Sequence, residues 1–367
     1  MAKSSQRLVS LDIFRGITVA FMIIVNTPGS WNYVYPPLRH AEWHGCTPTD
    51  LVFPFFLFIV GTSLWYSMKK YGHEVNGGSI LRILRRMITI FAVGLLLAVF
   101  PYFGRDYSTL RIMGVLQRIA IAYGIAAILC LTINRQYLWI VIAVLLLLYW
   151  ALLAFFGGAD PYSIEGNFVR QVDIAVLGAN HIYKGFGVPF DPEGLLSTLP
   201  SVGTVIIGYY TGEILGKGPA EGKTVLKLLL FGAAATGLGL LWGMVLPINK
   251  PLWTGSYVLY TAGLAMGFLA VIYLIADVLK FQMWGTFFLV FGTNALFSYF
   301  LAGIWTRLML FIKIGESKVA LYKWLYDSVF APLAGNMTGS LLFAVTQVLF
   351  IWLIALFLYR RKIMIRL

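Results

Sequence analysis

Apolar runs of about 20 residues recur from one end of this chain to the other, and each can cross a hydrocarbon layer about 30 Å thick. Inside lipid a segment has to satisfy its own backbone N–H and C=O groups, which leaves helices or closed barrels. A barrel would show alternating segments of about 10 residues. These runs are longer and do not alternate, so the sequence predicts an all-α polytopic transmembrane bundle of about ten spans. They lie near 11–27, 50–68, 87–103, 112–133, 137–156, 195–215, 225–247, 253–278, 284–305 and 339–359, with no soluble domain between them. The whole of 1–367 reads as one transmembrane domain.

Composition agrees. Hydrophobic residues make up 59% and charged ones 12% of the chain, about half the charge of a soluble protein. No cleavable signal peptide is expected, because the first apolar run comes late and is interrupted by Asp12 and Arg15. The net charge of +13 does not point to nucleic acid, since the basic residues gather at the ends of apolar runs, where a lipid bilayer selects them. Cys46 and Cys130 suggest neither a disulfide framework nor a metal site. Lys and Arg concentrate in alternate connections, which include Lys3, Arg7, the 69–86 segment and the tail "YRRKIMIRL" with Arg366. The opposite connections hold fewer, Arg105 among them. The rule that such loops stay inside predicts both termini in the cytoplasm. The long connections 28–49, 157–194 and 306–338 then face outward, where binding residues are expected.

Ionisable groups inside spans are costly and mark function by default. In "LDIFRG", Asp12 and Arg15 share a helix face and can pair, either to anchor the helix start or to hold an anionic ligand. "GVLQRIAIAYG" sets Gln117 and Arg118 within the fourth span, facing a polar cavity or a buried partner. Asn294 and Ser298 lie at helical spacing in the ninth span, a pattern that also serves helix packing. "LPINKPLW" holds Asn249 and Lys250 between two prolines that stiffen the turn. Asp191 and Glu193 precede the sixth span, where a carboxylate suits the helix dipole.

The segment "LRHAEWHGCTPTDLVFPFF" carries the chemistry. Asp50 starts the second span, and His40 lies ten residues before it. A loop histidine is often inert, but imidazole suits proton transfer near neutrality. Asn26, at the outer end of the first span, can donate to an oxyanion, and an aspartate can orient the imidazole. Acyl or proton transfer fits these residues.

Five motifs in order, "LDIFRGITVAFMIIVN", "RHAEWHGCTPTDLVFPFFLFIVGTSL", "GVLQRIAIAYG", "DPEGLLSTLPSVGTVIIG" and "PINKPLWTGSYVL", resemble the heparan-α-glucosaminide N-acetyltransferase family of transmembrane acyltransferases. The resemblance runs from about residue 11 to the ninth span and suggests a compact bacterial member in the inner (plasma) membrane. It implies transfer of acetyl from cytosolic acetyl-CoA, the acyl donor, to an amino sugar of glucosamine type or a glycan on the far side of the membrane. It matches the catalytic histidine to His40 and the catalytic asparagine to Asn26, with slightly longer spacing here, and Asp50 completes the expected set. His44 falls where the lysosomal enzyme has asparagine, and is the poorer candidate. Arg15, Gln117, Arg118, Asn249 and Lys250 are the residues expected to contact the donor. Direct transfer and an acetyl-histidine intermediate both fit, as does O- in place of N-acetylation. A transporter is the rival class, against which stands the lack of an inverted repeat. No feature of the sequence fixes whether the chain forms a homodimer.

Overall fold

The computed structural model describes residues 8–70, 75–102, 106–217 and 220–365. Lys3, Arg7, Arg105 and Arg366, used above for orientation, lie outside the described residues. In chain order the helices are α1 Val9–Asn26, α2 Val52–Lys70, α3 Gly77–Val99, α4 Val115–Thr132, α5 Leu138–Phe156, α6 Phe168–Leu177 and α7 Thr198–Gly216. They continue with α8 Gly222–Gly243, α9 Gly255–Tyr273, α10 Thr286–Thr293, α11 Ala295–Phe311, α12 Leu321–Leu325, α13 Ala331–Ala334 and α14 Asn336–Arg360. A two-stranded hairpin, Lys313–Ile314 with Val319–Ala320, precedes α12.

Among the described residues seven helices are long and apolar enough to cross a membrane, or eight if one bent pair counts as a span. The expected ten include α3 and α7, which fall short of that standard for different reasons. The first half of α3 carries Arg82, Arg85 and Arg86. In α7 small and hydroxylated residues dilute the apolar ones, because nearly the whole helix is enclosed by protein and meets little lipid. Only Leu138, Leu146, Tyr149 and Leu153 of α5 are buried, one stripe of a helix whose remaining surface is apolar and partly or fully exposed.

The expected ninth span is broken. Its two parts, Met283–Thr293 and Ala295–Phe311, meet at 72° at Asn294. There the chain leaves helical geometry, and Asn294 turns its side chain to the tail, donating to Ile363 O (3.0 Å) and accepting from Ile365 N (2.8 Å).

The main pairings are α8 with α9, α2 with α7, α1 with α10 and α3 with α4. Glycine sets the closest of these approaches. A Cβ on Gly61 of α2 would strike Val205 O, and one on Gly208 of α7 would strike Phe58 O. Backbone therefore lies against backbone along α2 and α7, in the manner of small-residue interfaces in membranes. This matters for the site, because α2 grows directly out of the segment that carries Asp50.

Residues 157–197 fold over the α5 and α9 ends of the bundle. Tyr149, Leu153, Val169, Phe190 and Leu252 form a second apolar core there. Trp43 packs on it, 5.2 Å from the Phe190 ring, with its indole N–H on Tyr162 O (2.7 Å). The loop that carries His40 is thus pinned to a folded cap.

Candidate functional site

The second span begins with one turn of 3-10 helix, Pro48–Leu51, closed by a capping box in which the Asp50 side chain accepts from the Thr47 backbone. Asp50 Oδ2 takes Thr47 N and Ala41 N, both at 3.0 Å. Tyr257 donates to the Asp50 carbonyl at 2.6 Å. Two backbone N–H groups therefore hold the carboxylate and Tyr257 holds the main chain of a residue that is 2% exposed.

Its other oxygen, Oδ1, accepts from His40 Nδ1 at 2.6 Å. A carboxylate only accepts, so Nδ1 bears the proton and Nε2 keeps the lone pair. That is the tautomer a general base requires. Lys250 Nζ lies 3.3 Å from Asp50 Oδ1 and 3.1 Å from His40 Nδ1. With the Nδ1 proton directed at Asp50, the ammonium donates to the carboxylate, and its closeness to Nδ1 is a contact.

A cavity of about 120 Å³ opens beside the imidazole. Asn26, His40, Thr49, Glu193, Lys250 and Tyr299 give it polar edges, and apolar side chains of α1, α2 and α4 form its walls. Asn26 is the last residue of α1 and is exposed, with no side-chain hydrogen bond to described residues. Its amide is therefore available to a ligand. The three residues expected to be catalytic, His40, Asn26 and Asp50, thus converge at one place.

The residues expected to contact the donor are dispersed. Only Lys250 reaches this cavity. Asn249 is fully buried and donates to Trp43 O (2.9 Å) and His44 Nδ1 (3.2 Å), while its Oδ1 accepts from Leu252 N (2.7 Å). It ties the His40 loop to the 247–254 turn, as does the bond from Gly45 N to Ile248 O (2.7 Å). The turn is tight enough to hold Trp253 at φ +53, a left-handed geometry uncommon for a bulky residue. His44 serves this linkage, and burial lowers its pKa although Asp160 acts in the other direction.

Arg118 is wholly buried. It bonds to Gly194 O and Ser197 Oγ, and its guanidinium lies 5.1 Å from the Trp253 ring. Its Nε and Nη1 have no hydrogen-bond partner among the described residues. Gln117 is buried against Gly94 and Gly114. Arg15 sits toward the other end of α1, bonded to Asp12 Oδ1 (2.9 Å), Ser63 Oγ (2.7 Å) and Gly292 O (3.1 Å). The expected Asp12 pair therefore forms. Arg15 and Asn26 are separated by a rise of about 16 Å along the helix.

Asp191 and Glu193 lie before the first turn of α7 and cap nothing there. Both bind Arg111, Asp191 through a fork at 2.9 and 2.5 Å and Glu193 through Nη2. Burial would raise the Glu193 carboxyl, but Arg111, with Arg118 and Lys250, holds it below its usual range. Burial likewise opposes the Arg111 charge, and the two carboxylates outweigh it and raise its pKa. Sequence reading missed Glu193 and Tyr299 as cavity residues. Both reach the cavity from segments far along the chain, and no local pattern announces that.

Comparison with known proteins places this geometry in context. The sequence model of "Heparan-alpha-glucosaminide N-acetyltransferase, catalytic" matches residues 7–239. The human heparan-alpha-glucosaminide N-acetyltransferase is 30% identical over 353 residues, covering 80% of this chain and 52% of the human protein. The mouse protein of the same name is 29% identical over 357 residues, covering 81% and 53%. The chain spans about half the length of these curated relatives. The match takes in Asn26, His40, Asp50 and Glu193, the His40–Asp50 pair and two more residues of the site, and the chain belongs to the heparan-alpha-glucosaminide N-acetyltransferase catalytic family.

Proposed function

We propose that this protein is a multi-pass membrane acetyltransferase that moves acetyl from acetyl-CoA to the amine of a glucosamine-type sugar. The observation that carries the reading is the His40–Asp50 pair at 2.6 Å on the edge of a cavity that also holds the Asn26 amide.

In this reading the sugar amine attacks the thioester carbonyl. His40 Nε2 accepts the amine proton, Asp50 steadies the imidazolium, and Asn26 donates to the oxygen that gains charge. An N–C bond forms, the C–S bond breaks, and the proton passes from the imidazolium to the departing thiolate. Lys250 and Glu193 shape the polar edge on which the acceptor sits.

Donor and acceptor approach from opposite ends. The basic residues in alternate connections support cytoplasmic termini, which put the His40 end outside. Acetyl-CoA is made in the cytoplasm and carries phosphates that do not enter lipid. Its arm would run along α1 from the Arg15 end to the cavity, and a guanidinium is a suitable phosphate partner.

The test is acetyl transfer from radiolabelled acetyl-CoA to a panel of amino and neutral sugars by the purified chain in detergent, beside His40→Ala. Labelled N-acetylated sugar that disappears in the variant is the expected result. Transfer that survives His40→Ala would remove the base from His40. Neither transfer nor donor binding by the wild type would favour a transporter.

A further inference from the structure

At the end of the bundle opposite His40, the C-terminal ends of α2, α4 and α7 converge on a second cavity of about 810 Å³. Its walls include Trp65 and Lys69 of α2, Arg135 after α4, and Tyr209, Glu213 and Lys217 at the end of α7. It lies on a different flank of α2 from Arg15. Ser63, which Arg15 holds, and Trp65 are two positions apart on one helix and so face nearly opposite ways.

The charges do not balance within this cavity. Glu213 is enclosed, its side chain 7% exposed, and it pairs with Arg135 and with Lys217 Nζ (3.0 Å). Lys69 Nζ bonds to Gly216 O (3.1 Å) and lies 4.9 Å from the Trp65 ring. One carboxylate therefore faces three cations. Arg135 and Lys217 are each about half exposed, so their heads reach solvent as well as Glu213. Arg135 spends Nη1 on Glu213, while Nε and Nη2 make no hydrogen bond to described residues, leaving a fork edge suited to two oxygens of one anion.

Capping of helix C-termini is the simpler account of cations here. It explains Lys69 on Gly216 O. It does not call for a buried glutamate that draws Arg135 and Lys217 together beside a cavity of this size. Basic pockets between transmembrane helices on the cytoplasmic side suit anionic headgroups. Tyr137 and Trp139, exposed just past Arg135, are the aromatic types that settle at a membrane interface.

We propose that this cavity binds a phosphate-bearing anion, either the headgroup of an anionic phospholipid or a soluble phosphate ester, held by Arg135, Lys217 and Lys69 around Glu213. Glu213 then acts as an internal counter-ion that keeps Arg135 and Lys217 gathered and competes with the ligand for them.

The sign of that competition makes the test. The full chain, stripped of lipid in detergent, is titrated with phosphatidylglycerol, with phosphatidylcholine and with adenosine 3′,5′-bisphosphate, and binding is read by native mass spectrometry. Phosphatidylglycerol should exceed phosphatidylcholine if the source is lipid, and adenosine bisphosphate should bind if it is soluble, with an affinity unchanged by Arg15→Gln. Each cation near a membrane surface contributes about fivefold, so the double variant Arg135→Gln, Lys217→Gln should lose roughly 25-fold. Glu213→Gln should instead tighten binding, by about fivefold. A misfolded protein cannot bind more tightly, so the Glu213→Gln gain excludes misfolding there, and size-exclusion and thermal unfolding check the double variant. Equal binding of the two lipids with none of the bisphosphate would overturn the proposal. So would affinities unmoved by these variants. Neither readout depends on acetyl transfer.

Discussion

Replacing Asp50 with asparagine tests the site most sharply, because the structure dictates which way the new amide must turn. Asp50 Oδ2 accepts from two backbone N–H groups, Ala41 and Thr47, while Oδ1 faces only His40 Nδ1 and Lys250 Nζ. An amide NH₂ on the backbone side would leave two partly buried donors facing a donor, at up to about 1–3 kcal/mol each. The carbonyl of the substituted side chain therefore stays on Ala41 and Thr47, and its NH₂ turns to His40, where it meets one other donor, the Lys250 ammonium on a flexible side chain, against two fixed backbone donors on the opposite side. Nδ1 must then accept, the ring proton moves to Nε2, and the base is lost with little change of shape. The same exchange in a Ser-His-Asp triad lowers kcat by about 10⁴, and a fall of about 10³–10⁴ with KM changed less than about threefold is expected here. Labelled acetyl transfer to glucosamine gives the rates, and ¹⁵N-histidine NMR gives the tautomer. Asp50→Asn protein that keeps a tenth of wild-type kcat, or that retains the Nδ1 proton, would refute the argument.

The other predictions concern the rest of the cavity and the scaffold. Asn26→Ala should reduce kcat by about 10²–10³ with KM little changed, since its amide is asked to act on charge that develops in the transition state; steady-state kinetics decides. Burial pushes the Asp173 carboxyl up from 3.8 to about 6, against the N–H groups of Leu196 and Leu195. The folded protein therefore holds this proton where the unfolded chain has lost it. The group favours folding at low pH and loses that contribution, about 3 kcal/mol, as pH rises through 6. Thermal unfolding in detergent should fall more between about pH 4.5 and 6.5 for wild type than for Asp173→Asn, and equal slopes would dismiss the assignment. Gly208→Val should abolish a monodisperse peak in size-exclusion chromatography, because its side chain would strike Phe58 O on α2, and overpacking alone costs about 1–3 kcal/mol.

Hydropathy made α5, α8 and α14 legible, because lipid-facing helices are apolar on most sides. It served α7 less well, since a helix packed on protein can use glycine, serine and threonine where a lipid-facing one uses leucine. It was blind to the break at Asn294, where the deciding partners are backbone groups of Ile363 and Ile365, far along the chain. The site divides in the same way. The proximity of His40 and Asp50 follows from a short loop ending in a capping box, a local arrangement that motif reading reaches. Lys250 arrives from 210 positions away, and Arg111 joins Asp191 and Glu193 across about 80 positions, a pairing that no local pattern marks. Which lone polar residue meets which is settled by tertiary packing.

The break at Asn294 also bears on how this chain can be handled. Where the helix stops, Gly292 O is taken by Arg15, and the Asn294 side chain takes one carbonyl and one amide of the tail. The stretch around Ile363–Ile365 is thus a structural part of the junction around the buried Asn294. A truncation that stops before Ile363 would remove half of that junction. An affinity tag fused close behind it would follow directly on a segment bonded to the bend between α10 and α11, two residues from the carbonyl that Arg15 holds.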